Sequence, residues 1–124
     1  MHNDTMKKTM SDVPSLYQKH CKPCGGDMLP LTADQYSPFL KVVLGWNVIE
    51  EKAIEKEFKW KNFKDALAFV NKIGEIAESE GHHPDIFLHG YNKVKVTLST
   101  HAIHGLSDND FILAAKIDRI TNLK

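Results

Sequence analysis

The chain has 124 residues, of which 42% are hydrophobic and 26% are charged, a size and composition typical of one globular domain and unlike those of a disordered chain. Its 16 Lys and Arg residues balance 16 Asp and Glu residues, so it lacks the basic surplus that nucleic acid or an anionic membrane usually requires of a partner. Because no apolar run approaches the roughly 20 residues that span a bilayer, and because two cysteines are too few for a disulfide framework, we expect a cytoplasmic protein with no nucleic acid and no membrane partner.

The first 28 residues are polar and follow neither a helical nor a strand period. Several prolines and glycines interrupt them, which is typical of loops. We therefore predict that residues 1–28 are an N-terminal extension, either mobile or loosely docked as an arm. Residues 29–124 are predicted to form a single domain.

Two cysteines with redox-like spacing, Cys21 and Cys24, lie in this extension. A thioredoxin-like motif needs a strand before it and a helix after it, and neither is predicted here. A zinc site would need further ligands, and His20 is the only extra candidate nearby. We therefore expect reduced thiols without a chemical role.

The first predicted helix lies within Thr32–Leu44. Thr32 and Gln35 have the spacing of a capping box. Pro38 leaves two alternatives, because it either kinks a helix that begins at Thr32 or is the first residue of a helix capped by Ser37.

Two further helices have clear start signals. Apolar residues repeat every three or four positions over Phe63–Glu80. Asn62 is a good N-cap for this helix, and Gly81 a good C-terminal stop. The last helix is predicted to start at Ser107, which forms a capping box with Asp110.

Four strands are predicted from alternating apolar and polar residues. They lie near Trp46–Glu50, Ile54–Lys61, Asp85–His89 and Lys93–Thr100. Short turns join them in pairs, which indicates two antiparallel hairpins. The order α-β-β-α-β-β-α predicts an α+β fold with a four-stranded antiparallel sheet and helices packed on one face.

Histidines are concentrated in one part of the chain, since five of the seven fall between positions 82 and 104. His82 and His83 follow the second helix, and the proline after them favours an extended backbone at His83. Adjacent extended residues point in opposite directions, so these two side chains are expected to have different functions. His101 follows the last strand and Asp110 opens the last helix. We expect strand end, helix end and helix start to meet at one rim of the sheet, where imidazoles suit general acid–base work.

A catalytic zinc ion is the rival use of the same imidazoles. His82, His83 and His101 would supply three ligands. The sequence has no HExxH or other metal-spaced motif, and neighbouring extended histidines rarely bind one ion together. The sequence therefore favours acid–base chemistry over a metal.

Three other candidate residues also have purely structural interpretations. One alternative is that Asp110 is a helix cap and has no further role. Similarly, Tyr91 can be an aromatic residue of a turn, and Glu78 can be a solvated helix residue. The sequence pattern alone leaves these alternatives open.

Over about Thr32–Lys124 the sequence resembles the pterin-4a-carbinolamine dehydratases, also known as dimerization cofactors of a homeodomain transcription factor. The family motif is a charged residue, three others, His-His-Pro, then an aromatic residue, a His and an Asp at set spacings. The matching residues are Glu78, His82, His83, Pro84, Tyr91, His101 and Asp110. Residues 1–28 lie outside the resemblance.

The resemblance implies an α+β fold and a hydro-lyase that dehydrates 4a-hydroxytetrahydrobiopterin to quinonoid dihydrobiopterin. This step regenerates tetrahydrobiopterin after aromatic amino acid hydroxylation, which links the protein functionally to a hydroxylase. It further implies that no metal and no cofactor is used, and that the protein is a homodimer or homotetramer. Some members are instead binding modules that stabilise a transcription factor dimer, so a non-enzymatic role stays open.

The residue roles also follow from the resemblance. The catalytic residues are His82, His83 and His101, and the substrate-binding residues are Glu78, Tyr91 and Asp110. Our hypothesis is that His82 and His101 are the acid–base pair and that His83 binds and orients the pterin. Glu78 and Asp110 would hold an imidazole tautomer or contact the polar edge of the pterin.

Overall fold

A computed structural model describes residues 16–22 and 28–122 of the chain. Its strands are β1 (Asn47–Ile49), β2 (Ala53–Lys59), β3 (Asp85–His89) and β4 (Lys93–Leu98). They form one sheet in the order β1-β2-β4-β3, and every neighbouring pair is antiparallel. The predicted four-stranded antiparallel sheet is confirmed.

Three helices cover one face of this sheet, namely α1 (Ala33–Val42), α2 (Phe63–Glu80) and α3 (Asp108–Asn122). Inward-facing side chains of β4, such as Val96, are fully buried in one core together with residues of all three helices. The predicted α+β class and the predicted order of elements are confirmed. Within the described residues, no helix is both long enough and apolar enough to cross a membrane.

The predicted bounds of α2 are confirmed, because local signals fix both of its ends. The Asn62 side chain accepts a hydrogen bond from the backbone N–H of Asp65 at 2.7 Å. At the other end, Gly81 has a left-handed backbone with φ of 66°, a conformation that favours glycine. The chain therefore leaves the helix directly before His82.

The first helix resolves the two alternatives that Pro38 left open. Helix α1 begins after Thr32, whose backbone N–H donates to the side chain of Gln35 at 2.8 Å, and Pro38 lies inside it. The other alternative, a helix capped by Ser37, is therefore wrong.

The last strand ends earlier than predicted, and this difference shapes the rim of the sheet. β4 stops at Leu98, Thr100 pairs with Gly105 across a short loop, and His101–Ile103 forms one turn of 3₁₀ helix. His101 therefore lies on a 3₁₀ turn and not at the end of an extended strand.

The described part of the N-terminal segment lies against α3. Leu16 is 3% exposed and belongs to the core. The Nζ atom of Lys116 donates to the backbone oxygen of Tyr17 at 2.7 Å, and the Arg119 guanidinium lies 4.3 Å from the centre of the Tyr17 ring. Residues 16–22, called the N-terminal arm below, are thus held by specific contacts.

Candidate active site

A cavity of about 400 Å³ lies at the rim of the sheet, where the end of α2, the loop after β4 and the start of α3 meet. Its volume is within the range of small-molecule sites. His82, His83 and His101 all line it. The structure therefore brings together the three histidines that the sequence places up to 19 positions apart.

His82 is bound to a buried carboxylate. Its Nε2 atom lies 2.6 Å from Oδ1 of Asp110, and the side chains of His82 and Asp110 are 12% and 0% exposed. A carboxylate only accepts hydrogen bonds, so Nε2 of His82 must be the donor. This leaves Nδ1 as the ring nitrogen that can exchange a proton with a substrate.

The second carboxylate oxygen of Asp110 also accepts hydrogen bonds. Its Oδ2 atom accepts from the Thr100 hydroxyl at 2.8 Å and from the Ser107 backbone N–H at 3.0 Å. Because the Thr100 hydrogen points at Asp110, the Ser107 hydroxyl must donate to Thr100 across their 2.7 Å contact. Asp110 therefore caps α3 and holds His82 at the same time, so the structural interpretation and the functional one do not exclude each other.

His83 is bound to the other predicted carboxylate. Its Nε2 atom lies 2.7 Å from Oε2 of Glu78, and the two side chains are 60% and 81% exposed. An exposed pair of this kind contributes little to stability. The contact turns Nε2 of His83 towards Glu78.

His101 lies on the 3₁₀ turn that follows β4 and is exposed. Its backbone oxygen accepts from the N–H of His104 at 3.1 Å, which closes the turn. The ring forms no hydrogen bond with any other residue that the structure describes. Both ring nitrogens are therefore available to a molecule in the cavity.

Comparison with known proteins identifies the family of the chain. The sequence model of the family described as pterin 4 alpha carbinolamine dehydratase matches residues 29–120.

The chain belongs to the pterin 4 alpha carbinolamine dehydratase family.

Two relatives provisionally named as pterin-4-alpha-carbinolamine dehydratases come from Nitrosospira multiformis and Alkaliphilus metalliredigens. They are 48% and 47% identical, and the alignments cover 87% and 85% of this chain and 94% and 95% of theirs. A crystal structure from Brucella melitensis, described as a transcriptional coactivator/pterin dehydratase, is 35% identical with a TM-score of 0.69. It covers 73% of this chain and 97% of that one.

Of the predicted substrate-binding residues, none is among the described residues that line the cavity. Asp110 and Glu78 contact the cavity residues His82 and His83, whereas Tyr91 lies far from them. It lies in the turn before β4 and is 64% exposed, whereas His101 follows the other end of that strand. The six residues of β4 separate the two ends by about 20 Å. Within one chain, Tyr91 and the histidines therefore lie at opposite ends of the sheet.

The zinc alternative finds no support in the geometry of this family member. Nε2 of His82 lies against Asp110 and Nε2 of His83 against Glu78, so the two rings serve different carboxylates. In residues 16–22 and 28–122, no three His, Cys, Asp or Glu side chains are placed to hold a metal ion.

Two residues of the N-terminal arm, Cys21 and Lys22, also line the cavity. Sequence reasoning gave them no role, because residues 1–28 have no periodicity and lie outside the family resemblance. Thr100 was missed as well. A threonine directly before the motif histidine His101 is the one local signal that could have drawn attention to it. Cys24 lies outside the described residues.

Proposed function

We propose that this protein is a hydro-lyase that dehydrates 4a-hydroxytetrahydrobiopterin to quinonoid dihydrobiopterin. One observation carries the proposal: the three motif histidines line a single cavity, and one of them, His82, is bound by the buried carboxylate of Asp110. Membership of the dehydratase family supports the same reaction.

The reaction requires two proton transfers. The bond between the ring carbon and its hydroxyl breaks, and that hydroxyl leaves as water after it receives a proton. The neighbouring ring nitrogen loses its proton, and its electron pair forms the C=N bond of the product. An acid and a base must therefore act together at one pH, and histidine can serve as either.

His82 and His101 are the proposed acid–base pair. His82 exchanges its proton at Nδ1, because Asp110 holds Nε2. Asp110 also stabilises the positive charge that the ring carries when it is protonated. His101 is exposed at the cavity and supplies the second transfer. His83, oriented by Glu78, binds the pterin.

We propose the same physiological setting that the family resemblance implies. The product would be reduced again to tetrahydrobiopterin, so the protein would act beside an aromatic amino acid hydroxylase in the cytoplasm. A homodimer or homotetramer is the proposed assembly, with no metal and no cofactor in the reaction.

Stopped-flow measurement of dehydration tests the proposal. His82→Ala and His101→Ala should each lower kcat on the order of 10²–10⁴-fold, the usual contribution of a positioned acid or base. His89→Ala is the matched control, because His89 pairs with Glu57 on the sheet face opposite the helices. If both cavity variants keep at least half of the parent rate, the histidines are not the acid and base.

A binding module is the second candidate function. The Brucella relative is described as a coactivator as well as a dehydratase, and in this chain Phe63 and Leu67 of α2 are 51% and 44% exposed. These two residues are one helical turn apart and form an apolar pair on the outer surface. A parent protein without turnover that purifies with a stoichiometric partner would favour this function over catalysis.

A further inference from the structure

We propose that Cys21 and Lys22 of the N-terminal arm form a functional wall of the pterin cavity, and that Lys22 is a substrate-binding residue that sets pterin affinity. This inference rests on the proposed dehydratase function. The family model begins at residue 29 and does not include these arm residues.

The first anchor of the arm is Glu80, the last residue of α2. Its Oε1 atom accepts from the Cys21 backbone N–H at 2.8 Å, and its Oε2 atom lies 2.9 Å from Nδ1 of His20. The Glu80 side chain is 6% exposed, and Lys116 lies 3.5 Å from it. Two of the three groups that bind this buried carboxylate therefore come from the arm.

A carboxylate at this position is otherwise unfavourable. The C-terminal end of a helix carries partial negative charge, which repels an anion. Burial by itself would raise the pKa of Glu80, but the Cys21 N–H, His20 and Lys116 together hold that pKa below its ordinary value of 4.5. The arm supplies most of the donors that keep Glu80 ionised next to His82 and His83.

The second anchor is Asn109, in the first turn of α3. Its Oδ1 atom accepts from the Lys22 backbone N–H at 2.9 Å, and its Nδ2 atom donates to the Lys22 backbone oxygen at 2.6 Å. Asn109 is 6% exposed. One buried side chain thus binds both polar groups of the Lys22 backbone and fixes where its side chain starts.

These anchors place a cation at the cavity. Among the described residues that line it, Lys22 is the only lysine or arginine. A pterin ring presents a carbonyl oxygen and unprotonated ring nitrogens along its polar edge, and an ammonium group can donate to such acceptors. Lys22 would bind substrate and product alike, so its loss should change affinity more than the chemical step.

The first test compares Lys22→Ala with Lys19→Ala, which removes an exposed lysine of the same arm that does not line the cavity. Binding of 7,8-dihydrobiopterin is followed by fluorescence, and KM and kcat by stopped flow. We expect Lys22→Ala to raise Kd and KM roughly tenfold, as for a lost hydrogen bond to a charged group, with kcat within a factor of two. Kd and KM equal to those of Lys19→Ala would overturn the inference.

The second test probes the arm by chemical modification and does not depend on catalysis. In a Cys24→Ser variant, the rate at which a thiol reagent modifies Cys21 is measured with and without saturating 7,8-dihydrobiopterin. We expect the bound pterin to slow modification at least fivefold. A pterin that binds by fluorescence but leaves this rate unchanged would show that the arm is not part of the site.

The two tests separate the failure of this inference from failure of the proposed function. A parent protein that turns over substrate but shows neither effect loses only the role of the arm. A parent protein that neither binds the dihydropterin nor dehydrates the substrate overturns the proposed function, and the role of Lys22 with it.

Discussion

Asn109 and Asp110 are neighbours in the first turn of α3, and each holds a different wall of the cavity. Asn109 binds the backbone of Lys22, whereas Asp110 binds the ring of His82 at 2.6 Å. A single helical turn therefore positions the arm and a proposed catalytic histidine together. Because these two residues are adjacent in the chain, the position of the arm is coupled to that of the His82 ring.

Replacement of Asp110 by Asn should separate its catalytic role from its capping role. The amide keeps the shape but removes the charge that fixes and stabilises the His82 ring, so we expect kcat to fall at least about 100-fold. Loss of a charged acceptor inside the protein should also lower the free energy of unfolding by about 1–3 kcal/mol. Stopped-flow kinetics and urea unfolding measure the two effects.

Asp108→Asn is the control for this change, because Asp108 lies in the same first turn but is exposed. It should leave kcat unchanged. If Asp110→Asn lowers stability but keeps the parent kcat, Asp110 is a cap and nothing more.

Thr100 should matter for stability through the hydroxyl that it donates to Asp110. Thr100→Val keeps the volume but leaves the buried Ser107 hydroxyl and Asp110 each without one partner, so we expect a loss of about 1–3 kcal/mol. Thr100→Ser keeps the hydroxyl and should lose less. Urea unfolding of the two variants checks this, and a larger loss in Thr100→Ser than in Thr100→Val would indicate that the methyl group and not the hydroxyl is important.

Two glycines of the same segment should respond to alanine in opposite directions. Gly81 has φ of 66°, where a side chain is strained, whereas Gly74 lies inside α2 and an added Cβ there meets no atom within 4 Å. We expect Gly81→Ala to lower the free energy of unfolding by about 1 kcal/mol and Gly74→Ala to raise it by about 0.5–1 kcal/mol. Thermal unfolding measures both, and a stabilising Gly81→Ala would contradict the left-handed cap before His82.

The sequence was sufficient where structure depends on local signals. Helix α2 has its predicted bounds, because Asn62 and Gly81 each act on the turn next to them. The turn between β1 and β2 was not foreseen in its form, since Glu50 and Glu51 have φ of 51° and 60° and glutamate carries no signal for that conformation. The length of the turn was still predicted, because the alternation of apolar and polar residues marks where β1 ends and where β2 begins.

The candidate site was only partly predictable for the same physical reason. Motif spacing identified the three cavity histidines. Spacing along the chain carries no information on distance in the fold, so Tyr91 was grouped with His101 although the two residues flank opposite ends of β4. The arm was missed because its anchors are remote in sequence. The bonds from Cys21 to Glu80 and from Lys22 to Asn109 span 59 and 87 positions, and no local pattern records such pairs.

Acid should weaken the docking of the arm through Glu80. The pKa of Glu80 is lowered in the folded protein, so the unfolded chain takes up its proton first as the pH falls. The stabilisation is therefore complete well above the ordinary value of 4.5 and is lost as the pH falls through the lower folded value. Urea unfolding of the parent and of Glu80→Gln from pH 7 to pH 3 measures this difference.

We expect the parent to be the more stable of the two at pH 7, with the gap closing below about pH 4.5 as Glu80 becomes protonated. Glu75→Gln is the control, because Glu75 is an exposed residue of the same helix and should give no gap at either end of the range. In the Cys24→Ser background, modification of Cys21 should accelerate over the same acid interval relative to a small free thiol measured at each pH, a reference that corrects for the loss of thiolate in acid. A gap between parent and Glu80→Gln that widens towards low pH would have the wrong sign, and would mean that the ionised form of Glu80 does not hold the arm.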